Sequence, residues 1–101
     1  MVDVFIRVWE YEVPAEQSDA FLVAYGSGGD WVQLFRRGRG YVGTELYRGT
    51  DTADRFVTVD RWTDAAAWHA FLEEWGEAYN ALDTRLAGLG AVERALKDAS
   101  L

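Results

Sequence analysis

Three charged residues stand among aromatic ones in stretches that alternate like β-strands. Arg7 lies between Phe5 and Trp9, Glu45 between Gly43 and Tyr47, and Asp60 between Thr58 and Trp62. Side chains two apart on a strand share a face. Unbroken alternation therefore puts Arg7, Glu45 and Asp60 on one face with Phe5, Trp9, Tyr11, Tyr41, Tyr47, Phe56 and Trp62. A charge in apolar surroundings needs a partner. One reading is an ion-pair cluster that sets the sheet register or a dimer contact. The other is a pocket in which Asp60 or Glu45 takes a substrate proton while Arg7 holds an anion. The sole histidine, His69, belongs to the one residue type whose ordinary pKa lies near neutrality. It could accept a proton from a phenol or an activated methylene, or simply border solvent. Trp9, Tyr47, Trp62 and Trp68, with Tyr25, Trp31 and Phe35, offer stacking surfaces to a flat ring, and most would serve equally as core.

These residues must be placed by a small set of elements. Val2 to Val13 reads as a strand, with Val4, Ile6 and Val8 opposite Phe5, Arg7, Trp9 and Tyr11. Pro14, the only proline, suits the first turn of the helix that follows over Ala15 to Tyr25. Gly26-Ser27-Gly28-Gly29 interrupts that helix. Asp30 is the expected N-cap of a second piece, Trp31 to Arg37. Tyr41 to Arg48 and Arg55 to Trp62 are strands joined by a hairpin loop. Thr63 or Asp64 then caps a long helix whose stripe is Trp68, Leu72, Trp75, Tyr79, Leu82 and Leu86. Gly76 would bend it, and Gly88 and Gly90 would stop it. His69 lies about 100° round this helix from the stripe. The tail favours helix by propensity, yet a short strand near Val92 to Leu96 completes a β-α-β-β-α-β order. The expectation is an α+β, ferredoxin-like βαββαβ subunit, one domain over residues 1–101.

Composition excludes several function classes. The chain has 101 residues, no Cys, one His and five each of Trp, Tyr and Phe. A disulfide framework, a thiol nucleophile and a thiolate zinc site are ruled out. A formal net charge of −7 disfavours nucleic acid as a partner. Arg36, Arg37 and Arg39 form the one basic cluster, placed where a helix C-terminus welcomes positive charge. No stretch is long and apolar enough to span a membrane, and the N-terminus lacks a signal-peptide pattern, so a cytoplasmic protein is expected. No metal triad is visible in one chain. Both faces of the strands are apolar. Val4, Ile6, Val8, Val42, Leu46, Val57 and Val59 form the second one, which calls for a cover; a second copy of the chain is the expected partner.

The stretch GDWVQLFRRGRGYVGTELYRGT from Gly29 to Thr50, followed by RFVTVDRW and a Trp-rich helix, resembles the antibiotic biosynthesis monooxygenase family. The similarity runs from about Val4 to Leu89. It implies a subunit of the dimeric α+β barrel superfamily, pairing sheet to sheet as a homodimer. It also implies a small-molecule cavity between sheet and helices. Some members oxygenate aromatic polyketides with no metal, flavin or other cofactor, the substrate anion supplying electrons to oxygen. By resemblance this chain would be a monooxygenase-like enzyme, or a related cyclase or isomerase, with a small aromatic or polyketide-like substrate. Asp60 or His69 would be the base, and Arg7 or Tyr47 would hold an oxygen. The alternative is a non-catalytic dimeric binding or stress-related domain. Haem-degrading relatives form a minor third reading, since they carry a Trp at the place of Trp62. They also need an Asn on strand one, absent here, and a His where Leu72 stands.

Overall fold

The computed structural model describes residues 4–52, 54–89, 92–96 and 98–100. Strand β1 (Phe5–Glu12) leads through Pro14 and a short 3-10 turn (Ala15–Gln17) into α1 (Ser18–Tyr25). Helix α2 (Asp30–Phe35), strand β2 (Tyr41–Arg48) and strand β3 (Arg55–Trp62) follow, then the long α3 (Ala65–Leu86) and strands β4 (Val92–Ala95) and β5 (Ala99–Ser100). The sheet order is β2-β3-β1-β4, and β5 also pairs with β1; all pairings are antiparallel. This is the ferredoxin-like arrangement the sequence predicts. The tail is strand rather than helix because β1 has a free edge beside it. Between Ala95 and Ala99 its register on β1 slips by one residue.

The helices lie on one face of the sheet. Along β3 burial alternates strictly, with Phe56, Thr58, Asp60 and Trp62 buried. Phe21, Phe56, Trp62 and Phe71 are among the most completely buried side chains, so the aromatic face meets the helices. Helix α1 breaks at Gly26 and α2 starts beside it. A Cβ at Gly29 would collide with the carbonyl oxygens of Val23 and Ala24, so only glycine lets the two helices approach. Gly29, not Asp30, is the N-cap of α2; Asp30 is already its first helical residue and pairs with Arg85 of α3 at 3.1 Å. Asp64 caps α3, accepting from the Ala67 N–H at 2.7 Å. Helix α3 does bend, but the non-helical residue is Trp75 rather than Gly76.

One local irregularity rearranges the predicted faces. Tyr41 pairs with Trp62 and Gly43 with Arg61, so Val42 is an extra residue, a β-bulge. A single inserted residue reverses the parity of everything after it. Thr44 therefore stands opposite Asp60 and Leu46 opposite Thr58, on the helix-covered face. Glu45 and Tyr47 stand opposite Val59 and Val57, on the other face. Tyr47 is 53% exposed. The expectation that Glu45 and Tyr47 share a face with Arg7 and Asp60 is thus corrected.

Candidate functional site

The site grows from two cross-strand neighbours. Arg7 of β1 and Thr44 of β2 flank Asp60 of β3, each directly opposite it in the ladder. Helix α3 and the α1–α2 corner close over them with rings. The resulting cavity is lined by Arg7, Trp9, Tyr25, Trp31, Phe35, Asp60 and Trp68, all expected from sequence. Tyr11, Thr44, Thr58, Tyr79, Asp83 and Glu93 complete the lining. Tyr79 is legible in the sequence as a member of the helix stripe and one of the helix-borne rings open to stacking. Thr44 is concealed by the bulge, and Glu93 by a tail whose propensity is helical but which pairs as strand.

Three expected site residues lie elsewhere. His69 is exposed on α3, outside the cavity lining. Tyr47 is on the far face, where its hydroxyl donates to Glu45 at 2.9 Å. Trp62 is fully buried core, packed edge-on to Phe35, Tyr41 and Trp68 rather than lining the cavity.

Asp60 is 8% exposed. Thr44 Oγ1 donates to its Oδ1 at 2.8 Å. Tyr41 Oη lies 2.6 Å from the same Thr44 hydroxyl. Burial pushes the Asp60 carboxyl up to about 6, against the opposing pull of the Thr44 hydrogen bond and the Arg7 charge. Arg7 does not contact this carboxylate as an ion pair. Its Nε binds Asp98 at 3.3 Å, from the segment between β4 and β5. Its guanidinium sits 4.4 Å from the Trp68 ring centroid and 5.9 Å from that of Trp9. The expected cluster of Arg7, Glu45 and Asp60 is therefore not one cluster: Glu45 pairs with Arg61 at 2.7 Å on the opposite face.

The tyrosines in the cavity are hydrogen-bond donors at neutral pH. Burial raises Tyr11 well above the ordinary phenol range and Tyr25 to about 12. Tyr79 is raised by burial too, with Arg7 pulling the other way. Trp31 brings a buried indole N–H with no hydrogen-bond partner among the described residues to the cavity lining. The site thus combines a buried carboxylate poised near neutrality, two further carboxylates (Asp83 and Glu93), one cation, neutral donors and stacked rings. It is tight, with about 30 Å³ open to a water molecule.

The sequence matches the profile of the antibiotic biosynthesis monooxygenase family over residues 4–79. The chain belongs to this family. Among curated protein sequences none matches it. Solved structures share its fold. A point variant of SnoaB from Streptomyces nogalater, described as a cofactor-independent oxygenase, is 23% identical. It aligns over 100% of this chain and 92% of its own, with a TM-score of 0.63. A putative antibiotic biosynthesis monooxygenase from Nitrosomonas europaea is 15% identical over 95% of this chain and 88% of its own, at a TM-score of 0.71. One from Deinococcus radiodurans is 18% identical over 96% and 89%, at 0.63. For an antibiotic biosynthesis monooxygenase family member the sheet–helix cavity is the natural candidate site. Among the described residues no helix is long and apolar enough to cross a membrane.

Proposed function

We propose that this family member is a cofactor-independent oxygenase acting on a small aromatic or polyketide-like molecule, with Asp60 as its general base. The observation that carries this reading is a carboxylate sealed among rings, held near neutrality by burial, with no cation in contact among the described residues. A base is most effective when its pKa lies near the working pH. Asp60 would take a proton from an activated methylene or a phenol. The carbanion or phenolate is then the electron source for dioxygen. One oxygen atom forms a C=O bond at the former methylene, the other leaves as water, and the substrate supplies all four electrons.

Arg7 supports the developing anion. Its present position also explains the small cavity. The guanidinium fills the place over Trp68 where a flat ring would stack. The side chain is partly exposed, 18%, and its bond to Asp98 is long. Such a pair yields readily. A substrate ring would displace Arg7 from Trp68 and meet its charge at the ring edge. A second copy of the chain covers the outer face, where Ile6, Val8, Val57 and Val59 are only half buried in the single chain and Val42 is 58% exposed.

The test is oxygen uptake with a panel of anthrone-like and hydroxyquinone-like aromatics. Asp60→Asn is expected to lower turnover of any accepted compound by about 10²–10⁴-fold. His69→Ala serves as a control with turnover unchanged. Unaltered turnover in Asp60→Asn would remove the assignment. Tight aromatic binding with no oxygen consumed would favour a binding domain instead. Light scattering near twice 11.4 kDa checks the dimer.

A further inference from the structure

The proposed base is not alone on its strand neighbour. Thr44 Oγ1 donates to Asp60 Oδ1 at 2.8 Å, and the Tyr41 hydroxyl is 2.6 Å from Thr44. A threonine hydroxyl has one proton. When Asp60 is ionised, that proton points at the carboxylate, so Tyr41 must be the donor to Thr44. The line therefore has one direction: Tyr41 O–H to Thr44 O–H to Asp60 Oδ1. Among the described residues Thr44 is the one hydrogen-bond donor to this carboxylate.

The bulge at Val42 makes the line possible. With no extra residue, Gly43 would stand opposite Asp60, and Glu45 would enter the same face one step further on. A second carboxylate there would repel the first. With it, Thr44 takes the place opposite Asp60, and Tyr41, on the other side of the bulge, still shares the buried face. The direct partner of Asp60 thus depends on one irregular residue, while Tyr41, which precedes the bulge, keeps its place.

We infer that Thr44 and Tyr41 are positioning residues for the proposed base: their two hydroxyls, in series, fix Asp60 Oδ1 and leave Oδ2 as the oxygen that takes the substrate proton. The inference rests on Asp60 being the base but is tested apart from it. Other groups also face Asp60 or share its cavity. They are Arg7 and Tyr11 on β1, Tyr25 on α1, Tyr79 and Asp83 on α3 and Glu93 on β4, while Arg36 lies beside Tyr41. The variants leave all of these in place.

The experiment follows the Asp60 carboxyl ¹³C resonance against pH in the full chain. It compares wild type, Thr44→Val, Thr44→Ser and Tyr41→Phe. Loss of the direct donor in Thr44→Val should raise the midpoint by about one pH unit. Thr44→Ser keeps the hydroxyl and should restore the wild-type curve. Tyr41→Phe removes the donor behind Thr44 and should raise the midpoint by a smaller amount in the same direction. The conservative Ser and Phe variants keep the test informative if Thr44→Val fails to fold. A Tyr41→Phe curve superimposed on wild type overturns the series, as does a Thr44→Ser curve displaced as far as Thr44→Val. In an active enzyme the acid limb of kcat/KM should move with the resonance. If the resonance moves as expected while Asp60→Asn keeps full turnover, the positioning stands and the assignment of Asp60 as base falls.

Discussion

The two faces of the sheet use charge in opposite ways. On the outer face Glu10 and Glu45 each have a guanidinium against them. Glu10 is bound by Arg55 at 2.6 Å and by Arg94 at 2.9 Å, and Glu45 by Arg61 at 2.7 Å. Both glutamates are held below their ordinary range, chiefly by the hydrogen bonds from Arg55 and from Arg61. On the inner face Asp60 has a hydroxyl for a partner, and burial drives it the other way. Paired, wet charges hold strands in register and remain ionised across the working pH range. A single carboxylate among rings costs stability and gains the ability to exchange a proton near neutrality. Chemistry is expected where the charge is unpaired, and assembly where it is paired.

This contrast can be broken experimentally, beginning with the largest effect. Phe56 is fully buried on the inner face and packs against Phe21. Phe56→Ala should cost about 3–5 kcal/mol in chemical denaturation. A cost near that of a surface change would mean the inner face is not the core. The next effect concerns Asp60. Its folded value, about 6, lies above the ordinary aspartate value of 3.8. The folded state therefore binds more protons than the unfolded state between these values. The Asp60 contribution to stability should therefore fall as pH rises from about 4 to 6 and then level off. Asp60→Asn should match wild type near pH 4 and exceed it above pH 6 by on the order of 3 kcal/mol. Equal stability at pH 8 would show that Asp60 is not held as an unfavourable buried charge.

The smallest effect is on the outer face. Arg61→Ala should leave the denaturation midpoint of the dilute protein within experimental error, since exposed pairs contribute little. If that face joins two copies, the same variant should lower stability only at concentrations where dimers form. A midpoint that falls equally at all concentrations would make the outer pair part of the subunit's own stability. Displacing Arg7 provides an independent refinement. Asp98→Asn removes one tether of its guanidinium and should lower KM for an aromatic substrate severalfold with little change in kcat. An unchanged KM would mean that Arg7 does not block entry.

Much of this architecture is local and could be read from the chain. Period-two alternation marks β1 and β3, a three-and-four stripe marks α3, and Asp64 and the glycines punctuate them. The Gly29 to Thr50 stretch with RFVTVDRW was enough for the family, and Asp60, between Thr58 and Trp62 on a largely aromatic strand face, stood out as a candidate base beside Glu45 and His69. What could not be read depends on contacts between distant residues. Alternation carries parity forward only until a residue is inserted, and nothing in Tyr41-Val42-Gly43 announces that Val42 is skipped by its partner strand. That one residue moved Glu45 and Tyr47 out of the cavity and Thr44 and Leu46 onto its face. The partner of Arg7 is likewise 91 residues away, on a tail whose propensity is helical and whose strand exists because β1 offers an unpaired edge. The residue types determined that an aromatic face would carry charge. Sheet pairing determined which charge stays buried and alone, because burial and register are properties of neighbours that the sequence does not place side by side.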